Sequence, residues 1–353
     1  MTSIPAVQTQ NLGKRYGSRW ALRECSLVIP SGSVTALVGP NGAGKTTLLH
    51  LVIGLNEPSV GEVRVLGWSA RQQPQVVLPR IGFVAQDHPL YRGFRLSDML
   101  KLGRKLNPRW DDELARGRLE RLGMSLERKI GALSAGQQAQ VALTMALAKR
   151  PELLVLDEPV AALDPLARRE FLQSLMEAVA DGGLTVVLSS HIVAELERVC
   201  DHLVILAAGG VRLAGAIEEI LGSHRLLTGP RTDPAAVTRV HAVIQERHTE
   251  RQTTLLVRVN GRVSETAWSV DEIGLEEIVL AYLGQSAARR GELEPRARRS
   301  HRDLVGVAPA AHRGADRRAP ARPHRGRRHP DRSPHGVRVR AGRNRRLSCR
   351  PDG

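Results

Sequence analysis

The chain has 353 residues, 42% of them hydrophobic, which is enough for a large domain with a smaller companion. Its formal charge of +16 is uneven: residues 287–353 hold 20 Arg against 6 acidic residues, so the body before them is nearly neutral and lacks the charge of a nucleic-acid binder. No apolar run approaches the ~18 residues of a membrane span, the start MTSIPAVQTQ lacks a secretory pattern, and three scattered cysteines, Cys25, Cys200 and Cys349, suit neither a disulfide framework nor a zinc site.

In chain order, residues 5–30 and 60–67 alternate and turn like an antiparallel β-layer, and between them lie a strand at Val34–Val38 and a helix at Leu48–Ile53. Residues 94–130 carry Leu and Arg at helical spacing and read as a helical insertion. Helices follow at Gln138–Lys149 and Ala167–Val179, the second with Pro165 where a helix start accepts it. The apolar runs Leu153–Leu156, Thr185–Leu188 and Leu203–Leu206 suit strands buried on both faces of a parallel sheet. The expected fold class is therefore α/β, doubly wound.

Beyond that core, Thr253–Val259 and Arg262–Trp268 flank Asn260-Gly261, a strong hairpin signal, and a helix is expected over Leu275–Leu283. Residues 286–353 differ in kind. From 287 onward Ile, Leu, Val, Met, Phe, Trp and Tyr number 7 of 67, too few to offset chain entropy, and a disordered Arg-rich tail is expected. Three readings of it stand: an arm for phosphate-bearing lipid or RNA, a solvated extension, or a frameshift product after about Gln285, since Arg, Ala, Gly and Pro, the residues with GC-rich codons, make up most of it.

Gly39-Pro40-Asn41-Gly42-Ala43-Gly44-Lys45-Thr46 matches the phosphate-binding pattern G-x-x-x-x-G-K-[ST] between a strand and a helix. Loop N–H groups and a helix N-terminus point at phosphates there. Lys45 would reach the β- and γ-phosphates, and the Thr46 hydroxyl would meet Mg²⁺, with Gly39, Asn41, Gly42, Gly44 and Thr47 as further nucleotide contacts. The apolar strand Leu153–Leu156 ends in Asp157 and Glu158, placing one carboxylate to hold Mg²⁺ and the next to deprotonate a water.

Between those two motifs stands Leu133-Ser134-Ala135-Gly136-Gln137, and this set resembles the ATP-binding cassette (ABC) family, whose signature loop is usually Leu-Ser-Gly-Gly-Gln. Gln86, Ala162-Leu163-Asp164, His191 and Tyr16 follow the family's order, and the resemblance covers residues 5 to about 222. It implies a P-loop NTPase core with an antiparallel β-subdomain and a helical insertion at about 87–150; the composition, hairpin signal and helix beyond it are read as a small α+β accessory domain at 223–285. It further implies that Tyr16 stacks on adenine, that Gln86 touches Mg²⁺ or the water, and that His191 contacts the γ-phosphate. Ser134, Gly136 and Gln137 would close over the ATP of a second cassette in a homodimer, with Asp164 crossing that interface.

The implied function is an ATP-hydrolysing transporter subunit driving a separate multi-span permease, of the bacterial export group, held at the cytoplasmic face of the membrane through that permease. The other reading is a soluble ABC-type ATPase acting on a ribosomal or nucleic-acid partner. Against it, the chain has one phosphate-binding loop and no long heptad coiled coil, and the tail lacks stacking aromatics. Ala135 replaces the family's first signature Gly, and a loss of positive-φ freedom is expected to alter the loop.

Overall fold

The computed structural model describes residues 4–231, 235–259 and 268–293. The chain opens with strands β1 (Val7–Tyr16) and β2 (Arg19–Ile29), then β3 (Val34–Val38), helix α1 (Lys45–Val52) and β4 (Val60–Val65). β1 pairs antiparallel with both β2 and β4, giving the three-stranded layer expected from the alternation. A short helix α2 (Pro74–Val77) leads into β5 (Ile81–Val84). The helical insertion follows, as α3 (Leu96–Leu106) and α4 (Asp112–Arg121), and then α5 (Ala135–Leu147).

Next come β6 (Leu153–Asp157), α6 (Pro165–Ala180), β7 (Thr185–Ser190), α7 (Val193–Leu196), β8 (His202–Ala207) and β9 (Gly210–Ala216). The central sheet runs β5-β6-β7-β3-β8-β9, parallel from β5 to β8 with β9 antiparallel at the edge. Every residue of β3, β6 and β7 is buried, because each face of the sheet has its own cover. Val34, Ala36, Leu154, Leu156, Val186 and Leu188 join the cluster that also holds Leu143 of α5 and Phe171 of α6. Leu37, Leu153, Val155 and Val187 point the other way, against Leu48 and Leu49 of α1 and Leu12 and Leu22 of the β-layer. The insertion has its own small core, with Leu96, Leu100, Leu119 and Ile130 at its centre.

The C-terminal part contains α8 (Ile217–Ser223), β10 (His224–Pro230), α9 (Ala235–Val240), β11 (Ala242–His248), β12 (Gln252–Arg258), β13 (Ser269–Asp271) and α10 (Leu275–Leu293). Its sheet order is β11-β12-β10-β13. β12 is flanked by β10 and β11, and β13 pairs with β10. The expected hairpin around Asn260-Gly261 has its turn and nearly all of its second strand at 260–267, outside the described residues. β11 and β12 form a hairpin closed by the Thr249 N–H donating to the Gln252 carbonyl at 2.8 Å.

α10 extends ten residues past the expected end at Leu283 and does not merely close this sheet. Leu275, Ile278, Val279 and Tyr282 belong to the same apolar cluster as the β3/β6/β7 face. Its start therefore docks on the central core. The rest of the Arg-rich tail, from 294, lies outside the described residues.

Candidate functional site

A cleft of about 780 Å³ opens where β3 and β6 end, and it gathers most of the residues singled out from the sequence. Asn41, Gly42, Gly44, Lys45, Thr46 and Thr47 form one wall, from the loop that turns β3 into α1 and from the first turn of α1. α1 starts at Lys45, directly after the loop as the motif requires, and Gly44 caps it in the left-handed region at φ 107°. A Cβ there would also lie 2.7 Å from the Ala21 carbonyl oxygen. Only glycine combines that backbone with that approach, so the loop amides end up at the helix N-terminus, where anions bind.

Tyr16, Trp20, Gln86, Glu158 and His191 complete the cleft. Tyr16 is half exposed, its hydroxyl accepting from Asn56 Nδ2 at 3.0 Å, with Lys14 Nζ 5.2 Å from the ring centre. Lys45, only 5% exposed, donates to the Gly39 carbonyl at 2.8 Å and pairs with Glu158 Oε1 at 3.0 Å. Glu158 Oε2 lies 3.3 Å from His191 Nδ1. Glu158 thus stands between an ammonium and an imidazole, at a backbone φ of 43° that costs a non-glycine residue roughly 1–3 kcal/mol.

Asp157 lies one residue deeper, buried, where its Oδ1 accepts from the Ser189 hydroxyl at 2.8 Å. The same Ser189 oxygen accepts the Glu158 N–H at 2.8 Å. β-Register sets this up, since Asp157 and Ser189 are direct partners on β6 and β7. Ser189 and Trp20 were not singled out from the sequence. The only trace of Ser189 is a polar pair at the end of an otherwise apolar strand. His88 was missed as well: it sits at φ 43°, with its ring facing the Pro159 carbonyl beside Glu158, and burial pushes its imidazole below the usual range.

Ser134, Gly136, Gln137 and Asp164 do not line this cleft. Ser134 caps α5: its Oγ accepts the Gln137 N–H at 3.2 Å while Gln137 Oε1 accepts the Ser134 N–H at 3.1 Å, a reciprocal capping box. Ala135 is the first residue of α5 and is absent from the positive-φ set, so the expected loss of glycine freedom does not arise. Gly136 is tighter, since a Cβ on it would come within 2.8 Å of the Ala167 Cβ on α6. Asp164 caps α6, its Oδ1 accepting from the Leu166 and Ala167 N–H groups at 3.1 and 3.0 Å. Cys25 and Cys200 are buried and their thiols pushed up to about 11 and about 12, which keeps them protonated packing groups at neutral pH. Cys349 lies outside the described residues.

The family model described as ABC transporter matches residues 22–161. The chain is 35% identical over 209 residues to a Nod factor export ATP-binding protein I of Rhizobium johnstonii, covering 58% of this chain and 67% of the relative. It is 38% identical over 232 residues to an aliphatic sulfonates import ATP-binding protein of Pseudomonas fluorescens, covering 64% and 84% respectively. Among solved structures, a dimeric post-hydrolysis ATP-binding cassette bound to ADP and phosphate superposes with a TM-score of 0.54 at 26% identity, over 60% of this chain and 98% of that one.

Proposed function

The chain belongs to the ATP-binding subunits of ABC transporters, ATPases coupled to transport, and from that premise we propose that it hydrolyses ATP in the described cleft with Glu158 as general base. The observation carrying this assignment is the position of Glu158, its two oxygens against Lys45 and His191 at the mouth of the phosphate loop. Adenine stacks on Tyr16, and the loop from Gly39 to Thr47 donates its amides to the phosphates. Lys45 leaves Glu158 and the Gly39 carbonyl for the β- and γ-phosphates, which frees the carboxylate. Glu158 then takes a proton from water as the water oxygen bonds to the γ-phosphorus and the bond to the ADP oxygen breaks. His191 holds the γ-phosphate, and the proton passes to the departing phosphate.

A magnesium ion fits the donor set here: the Thr46 hydroxyl, the Gln86 amide oxygen and the Asp157 carboxylate are hard oxygen ligands, with Asp157 oriented by Ser189. When bound, it neutralises charge on the phosphates. Ser134, Gly136 and Gln137 act on the ATP of a second copy in a head-to-tail homodimer, with Asp164 at the crossing. In support, they lie outside their own chain's cleft, and a dimeric cassette shares the fold.

Residues 5–222 are assigned as the ATPase domain and 223–285 as an accessory domain. Among the described residues no helix is long and apolar enough to cross a membrane, and we place the chain at the cytoplasmic face through a separate permease. Tyr91 and Phe94, exposed and stacked at 5.0 Å between centroids, offer that permease an aromatic contact just beyond Gln86. We assign the direction as export, on the likeness to the exporter-named relative; the importer-named relative is similar to a comparable degree.

The test is Glu158→Gln. Hydrolysis should fall by roughly 10²–10⁴-fold while ATP binding holds or tightens, since Lys45 loses its competing partner. Size-exclusion chromatography with ATP should then show an accumulated dimer. Turnover at the parent rate would remove Glu158 from the mechanism.

A further inference from the structure

α4 of the helical insertion and α6 of the central core face each other across a groove that passes over α5. Two adjoining cavities of about 440 and 400 Å³ fill it, and both are lined by Arg118, Arg121 and Glu177. The walls carry opposite charge: α4 supplies Arg118 and Arg121, and α6 supplies Glu170 and Glu177 with Asp181 at its C-cap. No ion pair joins these walls among the described residues, whereas the arginines at the far end of the larger cavity are paired already.

The floor is where the structure departs from expectation. Arg118 is only 7% exposed and Gln140 only 5%. Buried guanidiniums are almost always paired, yet Arg118 Nε has no hydrogen-bond partner, and neither does Nε2 or Oε1 of Gln140. Glu177 and Asp181 act on Arg118 only through space. A simple anion entering the groove would meet three carboxylates, and a simple cation would meet two guanidiniums. A molecule carrying both charges a few ångströms apart satisfies each wall.

The geometry points to a binding site for a free α-amino acid, its carboxylate on Arg118 and its ammonium toward Glu177 and Asp181. Gln140 carries both a donor and an acceptor, so one turn of its side chain serves either end of the ligand. Glu177, Asp181 and Arg121 are exposed, and the ligand reaches Arg118 without unfolding of either helix. Bound there, it ties the insertion to the core, at a place separate from the nucleotide cleft. The inference does not depend on the hydrolytic mechanism.

The experiment uses the full-length chain, with calorimetric titration and thermal unfolding in the presence of each standard L-amino acid, and with acetate and methylammonium as half-ligands. At least one amino acid should bind and, near saturation, raise Tm by roughly 2–4 °C, with neither half-ligand matching it. Arg118→Met should weaken that binding by roughly 10- to 100-fold, while the unliganded Tm holds or rises because a buried unpaired charge is gone. Should that variant fail to fold, Glu177→Gln on the exposed wall carries the same test, and should also weaken binding. The proposal is overturned if no amino acid binds, if binding survives both substitutions, or if acetate alone binds as well as the amino acid.

Discussion

Ser189 shows how much of this site is decided by single atoms. One hydroxyl donates to Asp157 and accepts from the Glu158 amide, so Ser189→Ala leaves two groups short of a partner. We expect a loss of about 1–3 kcal/mol in stability and roughly tenfold or more in turnover, measured by chemical denaturation and steady-state hydrolysis. Ala135→Gly should instead leave turnover unchanged, because Ala135 is already an ordinary first helical residue. Hydrolysis well above the parent would restore the view that alanine distorts the loop. Lys45, Thr46, Asp157 and Glu158 were legible in the sequence because their spacing is itself the chemistry. Ser189 and Trp20 were not, since strand register sets Ser189 behind the cleft against Asp157 and the Glu158 amide, and Trp20 comes into the wall from a strand far from the loop in sequence. Asp164 carries a double meaning: its place in the motif order says nothing of the cap it makes here.

At the scale of elements, that cap gives a second test. Asp164→Ala removes the acceptor for two α6 amides and should cost about 0.5–2 kcal/mol, read from the denaturation midpoint at unchanged m-value. An undiminished midpoint would mean that water replaces the carboxylate fully. The all-apolar strands were readable because burial on both faces leaves no alternation to confuse. The C-terminal sheet was not. Strand neighbours are chosen across long sequence separations: β12 pairs with β10 and β11, partners that its own local pattern does not name. α10 was underestimated for a related reason: the apolar positions legible in the sequence, such as Leu275, Ile278, Val279 and Tyr282, lie in its first half, while the helix itself continues to Leu293.

Across the whole molecule, Glu152 joins parts far apart in sequence. It accepts from Arg80 Nε at 2.8 Å and Arg109 Nη1 at 3.0 Å, linking the start of β6 to the approach to β5 and to the insertion. The Arg80 hydrogen bonds, then the one from Arg109, hold its carboxyl down at about 2, from the ordinary carboxylate value of 4.5. A depressed folded value means the stabilisation is full above about pH 4.5 and is lost as pH falls toward about 2. Water screens this half-exposed group and limits its size. Glu152→Gln should therefore flatten the decline of Tm across that window, and parallel curves for parent and variant would show that the link carries no linkage. The pair Lys45–Glu158 has a different consequence for the molecule as a machine. On the proposed mechanism, the cation that greets the γ-phosphate is the same one set 3.0 Å from the proton acceptor, so drawing Lys45 onto phosphate and releasing the base would be one movement, and loading would arm the site.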